Sequence, residues 1–160
     1  MANDIVLRNL GPDDYPSIIS VLDAWWGGRA MADHLPKLFF NHFRDTSFIA
    51  EIDGNRAGFL AGFVSQSDPT IAYVHFIGVD PSIRGRGIGR HLYGAFFDAA
   101  RARGCREVHA VTHPVNQRSV AFHKSIGFDV LPGDAETAGV PFTRNYDGPG
   151  GDRVRFVYTL

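Results

Sequence analysis

The residues best suited to chemistry lie in Val79-Asp80-Pro81-Ser82-Ile83-Arg84-Gly85-Arg86-Gly87-Ile88-Gly89-Arg90, which joins an apolar run to a strongly patterned helix. Gly85, Gly87 and Gly89 can take backbone angles denied to other residues and let a ligand come close to the chain. The amides opening the next helix are unpaired donors at the positive end of its dipole. A loop of this kind suits a polyphosphate. Further on, Asn116, Val120 and His123 are spaced to fall along one side of a helix, with Ser119 four residues before His123. That stripe can face the same ligand. Tyr73 and His75 precede the loop and alternate with Ile77 and Val79, so on a regular strand all four share one face.

The elements that must position these residues follow from periodicity and punctuation. Ile5 to Arg8 reads as a strand. An apolar face at Ile18, Ile19 and Leu22 and a second helix from His34 to about Phe43 flank a loop at Trp25-Trp26-Gly27-Gly28. Phe48–Ile52, Ala57–Val64 and Ile71–Val79 read as three strands, the first two a hairpin turning at Asp53-Gly54-Asn55. Ile88, Leu92, Ala95, Phe96, Ala99 and Ala102 repeat at helical spacing, and Gly104 stops that helix. Val108–Thr112 is a strand, and Asn116 caps a helix that Gly127 ends. Phe128–Leu131 and Val154–Leu160 supply the last strands. The segment between them, about twenty residues rich in Gly, Pro and Asp, is long for a structureless connection. It is either a working loop or hides short strands near Val140–Thr143.

Composition bounds the answer. The chain has 160 residues, 44% of them hydrophobic, which fits one α/β domain over 1–160 with a filled core. A net charge of −1 gives no field for nonspecific nucleic-acid binding. No stretch reaches the roughly 20 apolar residues that span a bilayer, and the start lacks the basic and apolar regions of a leader, so a cytoplasmic location is expected without a membrane partner. Cys105 is the single cysteine, which excludes an internal disulfide, and it reads as apolar filler. His109 and His113 alone make a poor metal site without a clustered Cys/His set or an HExxH pattern, so no metal is expected.

The strand ending in Val79, the Arg84-x-x-Gly87-x-Gly89 loop with its helix, and Asn116-Gln117-Arg118-Ser119-Val120-Ala121-Phe122-His123-Lys124-Ser125-Ile126-Gly127-Phe128 resemble the GNAT superfamily of acyl-CoA-dependent N-acyltransferases. The match covers roughly residues 71 to 131. The resemblance implies a mostly antiparallel, twisted sheet of about seven strands, splayed at the fourth and flanked by about four helices. It implies acetyl-CoA as cosubstrate, its pyrophosphate on the amides from Arg84 to Arg90 (Arg84, Gly85, Arg86, Gly87, Ile88, Gly89, Arg90). Its pantetheine arm would pair along Ile77, Gly78 and Val79, with a bulge at Gly78 opening the sheet, and Asn116, Ser119 and His123 would lie beside it.

Much of the family has tyrosine where this chain has His123, near the thioester sulfur, so His123 is the expected proton donor to the leaving thiolate, the competing reading being a packed or solvated side chain. Direct transfer needs a base for the amine, and His75 and Tyr73 are the candidates on the splayed strand. The competing reading of His75 is a buried, hydrogen-bonded side chain. An amide near Ile77 to Val79 would stabilise the oxyanion. The regions that flank the acceptor in the family carry Trp25, Trp26 and Arg29 here, and Phe142, Arg144, Tyr146 and Asp147. The aromatics either wall a small-molecule amine or pin their loops to the core, and Arg29 or Arg144 can pair with a carboxylate. A protein amine as acceptor and a sensor that binds acyl-CoA without turnover are the alternatives. The resemblance is also compatible with a homodimer. A dinucleotide-binding oxidoreductase fits less well: the third glycine is misplaced, and Glu107 begins a strand where a ribose-binding acid should end one.

Overall fold

The computed structural model describes residues 4–160; the first three residues of the expected domain lie outside these. Among the described residues nine strands and four α-helices follow in the order β1 (Ile5–Asn9), α1 (Tyr15–Trp25), α2 (Leu38–His42), β2 (Phe48–Ile52), β3 (Asn55–Val64), β4 (Ile71–Val79), α3 (Ile88–Ala102), β5 (Glu107–Thr112), α4 (Gln117–Ser125), β6 (Asp129–Val130), β7 (Ala135–Thr137), β8 (Val140–Phe142) and β9 (Val154–Thr159). Seven strands form one sheet in the order β1-β2-β3-β4-β5-β9-β6, antiparallel except for β4 beside β5, and β7 pairs with β8 in a separate hairpin. The long segment before β9 therefore holds the short strands that its length suggested. The expected helix from His34 is shorter. Pro36 has no amide hydrogen and disfavours helical backbone at Leu35, so a 3-10 turn at Ala32–His34 precedes α2.

Each face of the sheet has its own core. Ala72, Val74, Val108, Ala110, Val154 and Phe156 pack with α3 through Ile88, Leu92, Tyr93 and Phe96. On the opposite face Phe59, Ala61 and Phe76 pack with Ile18 and Leu22 of α1 and Phe39 and Phe40 of α2. These two helices cover the first half of the second face only; His109 and Val111 of β5 and Arg155 and Val157 of β9 are half-buried there.

The irregularity that matters lies in β4. Ala61 pairs with Phe76 and Gly62 with Val74, so His75 is an extra residue in the ladder and the bulge sits there. This corrects the expectation of a bulge at Gly78, which pairs regularly with Phe59. Gly78 is small for another reason: a Cβ there would lie 2.8 Å from the Trp26 ring. The bulge also breaks the alternation. Ile77 and Val79 pack with the α3 core, whereas Tyr73 stacks on Phe63 and His75 on Phe39, both on the α1–α2 side. The expectation that these four share a face is overturned, because the extra residue moves the strand on by one step.

Candidate active site

The bulge coincides with a gap in the sheet. β4 and β5 pair only from Ile71↔Glu107 to Val74↔Ala110. Beyond that β4 stays with β3 and β5 stays with β9, so the edge of β4 from Phe76 to Val79 faces no strand. Backbone groups along that edge alternate in direction, and those aimed at the gap are available to a ligand. The loop to α3 leaves from the end of this edge.

At α3 the N-cap is Gly87, in the left-handed region at φ 79°, and no side chain caps the helix. The first-turn amides of any α-helix have no partner within it, so those at positions 88 to 90 are open donors. Gly85, also left-handed at φ 83°, has nothing within 4 Å of where a Cβ would lie. The Arg84 guanidinium donates to the Trp25 carbonyl at 3.2 Å, tying the loop to the end of α1, and Arg90 donates to the Ser125 carbonyl at 3.1 Å, tying α3 to α4. Burial and then the positive charge of Arg118 depress the Arg84 pKa. Two cations that repel each other beside an open helix end suit a polyanion. Arg118 was not singled out in the sequence; its place in the first turn of α4, where the dipole disfavours a cation, was the available signal. Gly89 has helical backbone, so its expected conformational role is corrected: a Cβ there would lie 2.7 Å from Cζ of Phe122, and its smallness lets α3 and α4 approach.

On the far side of the gap, His75 Nε2 is hydrogen-bonded to the His34 carbonyl. A carbonyl can only accept, so Nε2 carries the proton and the lone pair of the neutral ring resides on Nδ1. The ring stacks on Phe39 with centroids 4.3 Å apart and planes 8° apart. Burial lowers its pKa, which keeps it neutral near pH 7. Burial raises the Tyr73 phenol well above its usual value, so this residue stays a phenol.

His123 lies elsewhere. It is 3% exposed, stacked on Phe156 at 4.4 Å, and Val120 from the same stripe is buried with it. Its Nδ1 donates to the Ser119 carbonyl at 2.7 Å, and the Tyr93 hydroxyl, also 2.7 Å away, donates to Nε2. Burial lowers the His123 pKa to about 4, and both ring nitrogens are engaged within the core. Asn116 caps α4 by accepting from the Ser119 amide at 3.2 Å. The stripe expected to face a ligand is thus largely helix cap and core.

The expected acceptor residues divide similarly. Trp25 stacks on Phe59 at 6.3 Å and Trp26 meets Phe76 edge-on at 4.9 Å, so both pin the end of α1 to the sheet, with Trp26 over Gly78 beside the gap. Phe142 packs with the α3 core, and Arg29 and Arg144 are exposed. Tyr146, 42% exposed, lies over the Arg155 guanidinium at 4.9 Å, and Asp147 pairs with Arg153 at 2.7 Å. Cys105 is buried, and burial pushes its thiol pKa up. His109 binds Glu107 at 2.7 Å, and His113 Nδ1 accepts from the Val115 amide. Among the described residues no group of three or more His, Cys, Asp or Glu could hold a metal ion, and no helix is long and apolar enough to cross a membrane.

The model of the acetyltransferase (GNAT) family matches residues 15–128, from the first residue of α1 to the residue before β6, and so takes in both the gap and the helix-opening loop. The chain belongs to this family. It is 29% identical over 89 residues to an L-2,4-diaminobutyric acid acetyltransferase of Nocardia farcinica, covering 56% of this chain and 46% of that protein. The chain spans between 34% and 50% of the length of the first curated relatives it matches. Among solved structures, the diaminobutyrate acetyltransferase of Paenibacillus lautus, in complex with L-2,4-diaminobutyric acid and coenzyme A, superposes with a TM-score of 0.67 at 22% identity, covering 98% of this chain and 95% of that one. A ribosomal-protein-alanine N-acetyltransferase of Brucella melitensis gives 0.70 at 21%, covering 97% and 99%. Both show that the GNAT member has the fold of its family over nearly its whole length.

Proposed function

We propose that the protein transfers an acetyl group from acetyl-CoA directly to a primary amine of a small molecule. The observation that carries this is the coincidence, within β4, of the end of β5 pairing and the bulge at His75, whose ring lies on the face opposite α3. One end of the gap leads to open helix amides, and the other holds a neutral imidazole.

The residues present fit the cosubstrate. The amides at 88 to 90 and the loop at Gly85 and Gly87 would hold its diphosphate, with Arg84, Arg86 and Arg118 supplying positive charge, and the free edge at Ile77, Gly78 and Val79 would take its extended arm. Acetyl-CoA supplies an activated acetyl group. His75 accepts the ammonium proton on Nδ1, directly or through one water, because its other nitrogen is committed to His34. A backbone amide aimed into the gap stabilises developing oxygen charge, a contribution of about 2.7–4 kcal/mol where such donors have been removed elsewhere. Tyr73, held as a phenol, is a donor rather than a base. His123 supports the α3 side of the sheet from within the core through Tyr93. Similarity to a diaminobutyric acid acetyltransferase supports a small amine acceptor.

The test is a thiol-release assay with acetyl-CoA across an amine panel, paired with calorimetry of coenzyme A. Release that depends on an added small amine is expected. Coenzyme A binding without release from any amine would leave a sensor, and release only with protein substrates would move the acceptor class.

A further inference from the structure

The half-face of the sheet that no helix covers carries a cation with no anion. β4, β5 and β9 are in register at Val74, Ala110 and Phe156, so Arg155, one residue before Phe156, projects to the face that bears Tyr73, His109 and Val111. His75, two residues after Tyr73, lies on the same side, where it stacks on Phe39. The Arg155 guanidinium lies under the Tyr146 ring, and among the described residues no carboxylate stands within ion-pair distance of it. The nearby acid, Asp147, is already taken by Arg153 at 2.7 Å.

A guanidinium carries its N–H donors in a planar fork that matches a carboxylate, and its contact with the Tyr146 ring is one of charge against the ring rather than a hydrogen bond. Arg155 is half-buried, so a counter-anion would find it both oriented and partly desolvated. Where they pair, β4 and β9 lie two strand spacings apart, about 10 Å, and the divergence of β4 from β5 beyond Val74 widens this between positions 75 and 155. One small amino acid fills such a space between the two side chains.

We infer that Arg155 binds the carboxylate of the acceptor, which is therefore a free amino acid presenting its reacting amine to His75. This assignment rests on the acetyltransferase reading and goes beyond it by fixing the acceptor's second functional group. It also moves the carboxylate partner from Arg29 and Arg144, both exposed, to a residue that the sequence pattern left unmarked.

Matched amines differing only in the carboxylate provide the test: L-2,4-diaminobutyrate against 1,3-diaminopropane, and L-lysine against cadaverine, with phosphoethanolamine as a separate anion. The expected result is a kcat/KM at least 30-fold higher for the carboxylate member of a pair. In Arg155→Met, which keeps an unbranched apolar stem against Tyr146, that ratio falls to near one through a raised KM, while coenzyme A affinity measured by calorimetry is unchanged. Arg155→Lys recovers part of the ratio. No preference in the wild type, a preference that survives Arg155→Met, or a phosphoethanolamine rate above every carboxylate substrate overturns the assignment while leaving acetyl transfer intact. Coenzyme A binding with no amine-dependent thiol release removes the acetyltransferase reading itself, and this assignment with it.

Discussion

Acidification from pH 7 to pH 4 tests how His123 is held. In the unfolded chain its pKa is the ordinary value near 6.5, and in the fold burial lowers it to about 4. The unfolded state therefore binds more protons between these values. Stability is fully present above pH 6.5 and is lost as pH falls toward 4. Each pH unit in that window is worth about 1.4 kcal/mol, so His123 contributes a loss of about 3 kcal/mol. Replacing His123 alone would orphan the Tyr93 hydroxyl, which is buried and donates to it. The informative comparison is the wild type against the double variant Tyr93→Phe/His123→Leu, with urea unfolding followed at closely spaced pH values. The difference in unfolding free energy between the two should shrink by about 3 kcal/mol across the window, since only the wild type carries this histidine. A difference that stays constant from pH 7 to pH 4 would refute the buried, neutral imidazole. At pH 8, where this linkage is absent, kcat of the same variant separates a scaffold role from the proton-donor role that the motif suggested.

Gly87→Glu should weaken coenzyme A binding by at least tenfold in calorimetry, because it forces a side chain into left-handed backbone and sets a negative charge at the open helix end. His75→Gln should lower kcat and remove the acid limb of the pH–rate profile; in the wild type that limb lies below the usual histidine value, since burial depresses the His75 pKa and activity rises as Nδ1 loses its proton. An unmoved limb would free His75 of this role. Gly89→Ala should cost about 1–3 kcal/mol in chemical denaturation through its clash with Phe122, with part restored by adding Phe122→Leu. No restoration would mean that the contact is not the cause.

The sheet, α3 and α4 were legible because their signals are local: alternation in β2 and β3, helical spacing from Ile88, caps at Asn116 and Gly127. The glycine-rich loop opening α3 was legible for the same reason, although Gly89 and Gly78 serve packing rather than backbone freedom. The bulge at His75 was not. A bulge is defined by the partner strand, and nothing in Tyr73-Val74-His75-Phe76 distinguishes an extra residue from a regular one. Because that single insertion decides which face each side chain meets, Tyr73 and His75 could be recognised as candidates while their side of the sheet could not. The enclosure of His123 was not legible either: its motif position favoured a ligand-facing side chain over a packed one, but Phe156 and Tyr93, which enclose it, come from β9 and α3. Arg155 carries no signal in the sequence, because an arginine on a terminal strand looks like a solvated charge until its neighbours are known.

A barrier one β-sheet thick, breached at a single slot, has a kinetic corollary. If acetyl-CoA takes the α3 end of the gap and the amine the His75 side, as proposed, the two would occupy opposite vestibules and neither would have to leave before the other enters. Initial-rate plots should intersect rather than run parallel, and a dead-end analogue lodged on one side should not be displaced by raising the reactant that uses the other. If Arg155 and Tyr146 line the acceptor's vestibule, selection for a new acceptor could rework them without disturbing the loop that opens α3.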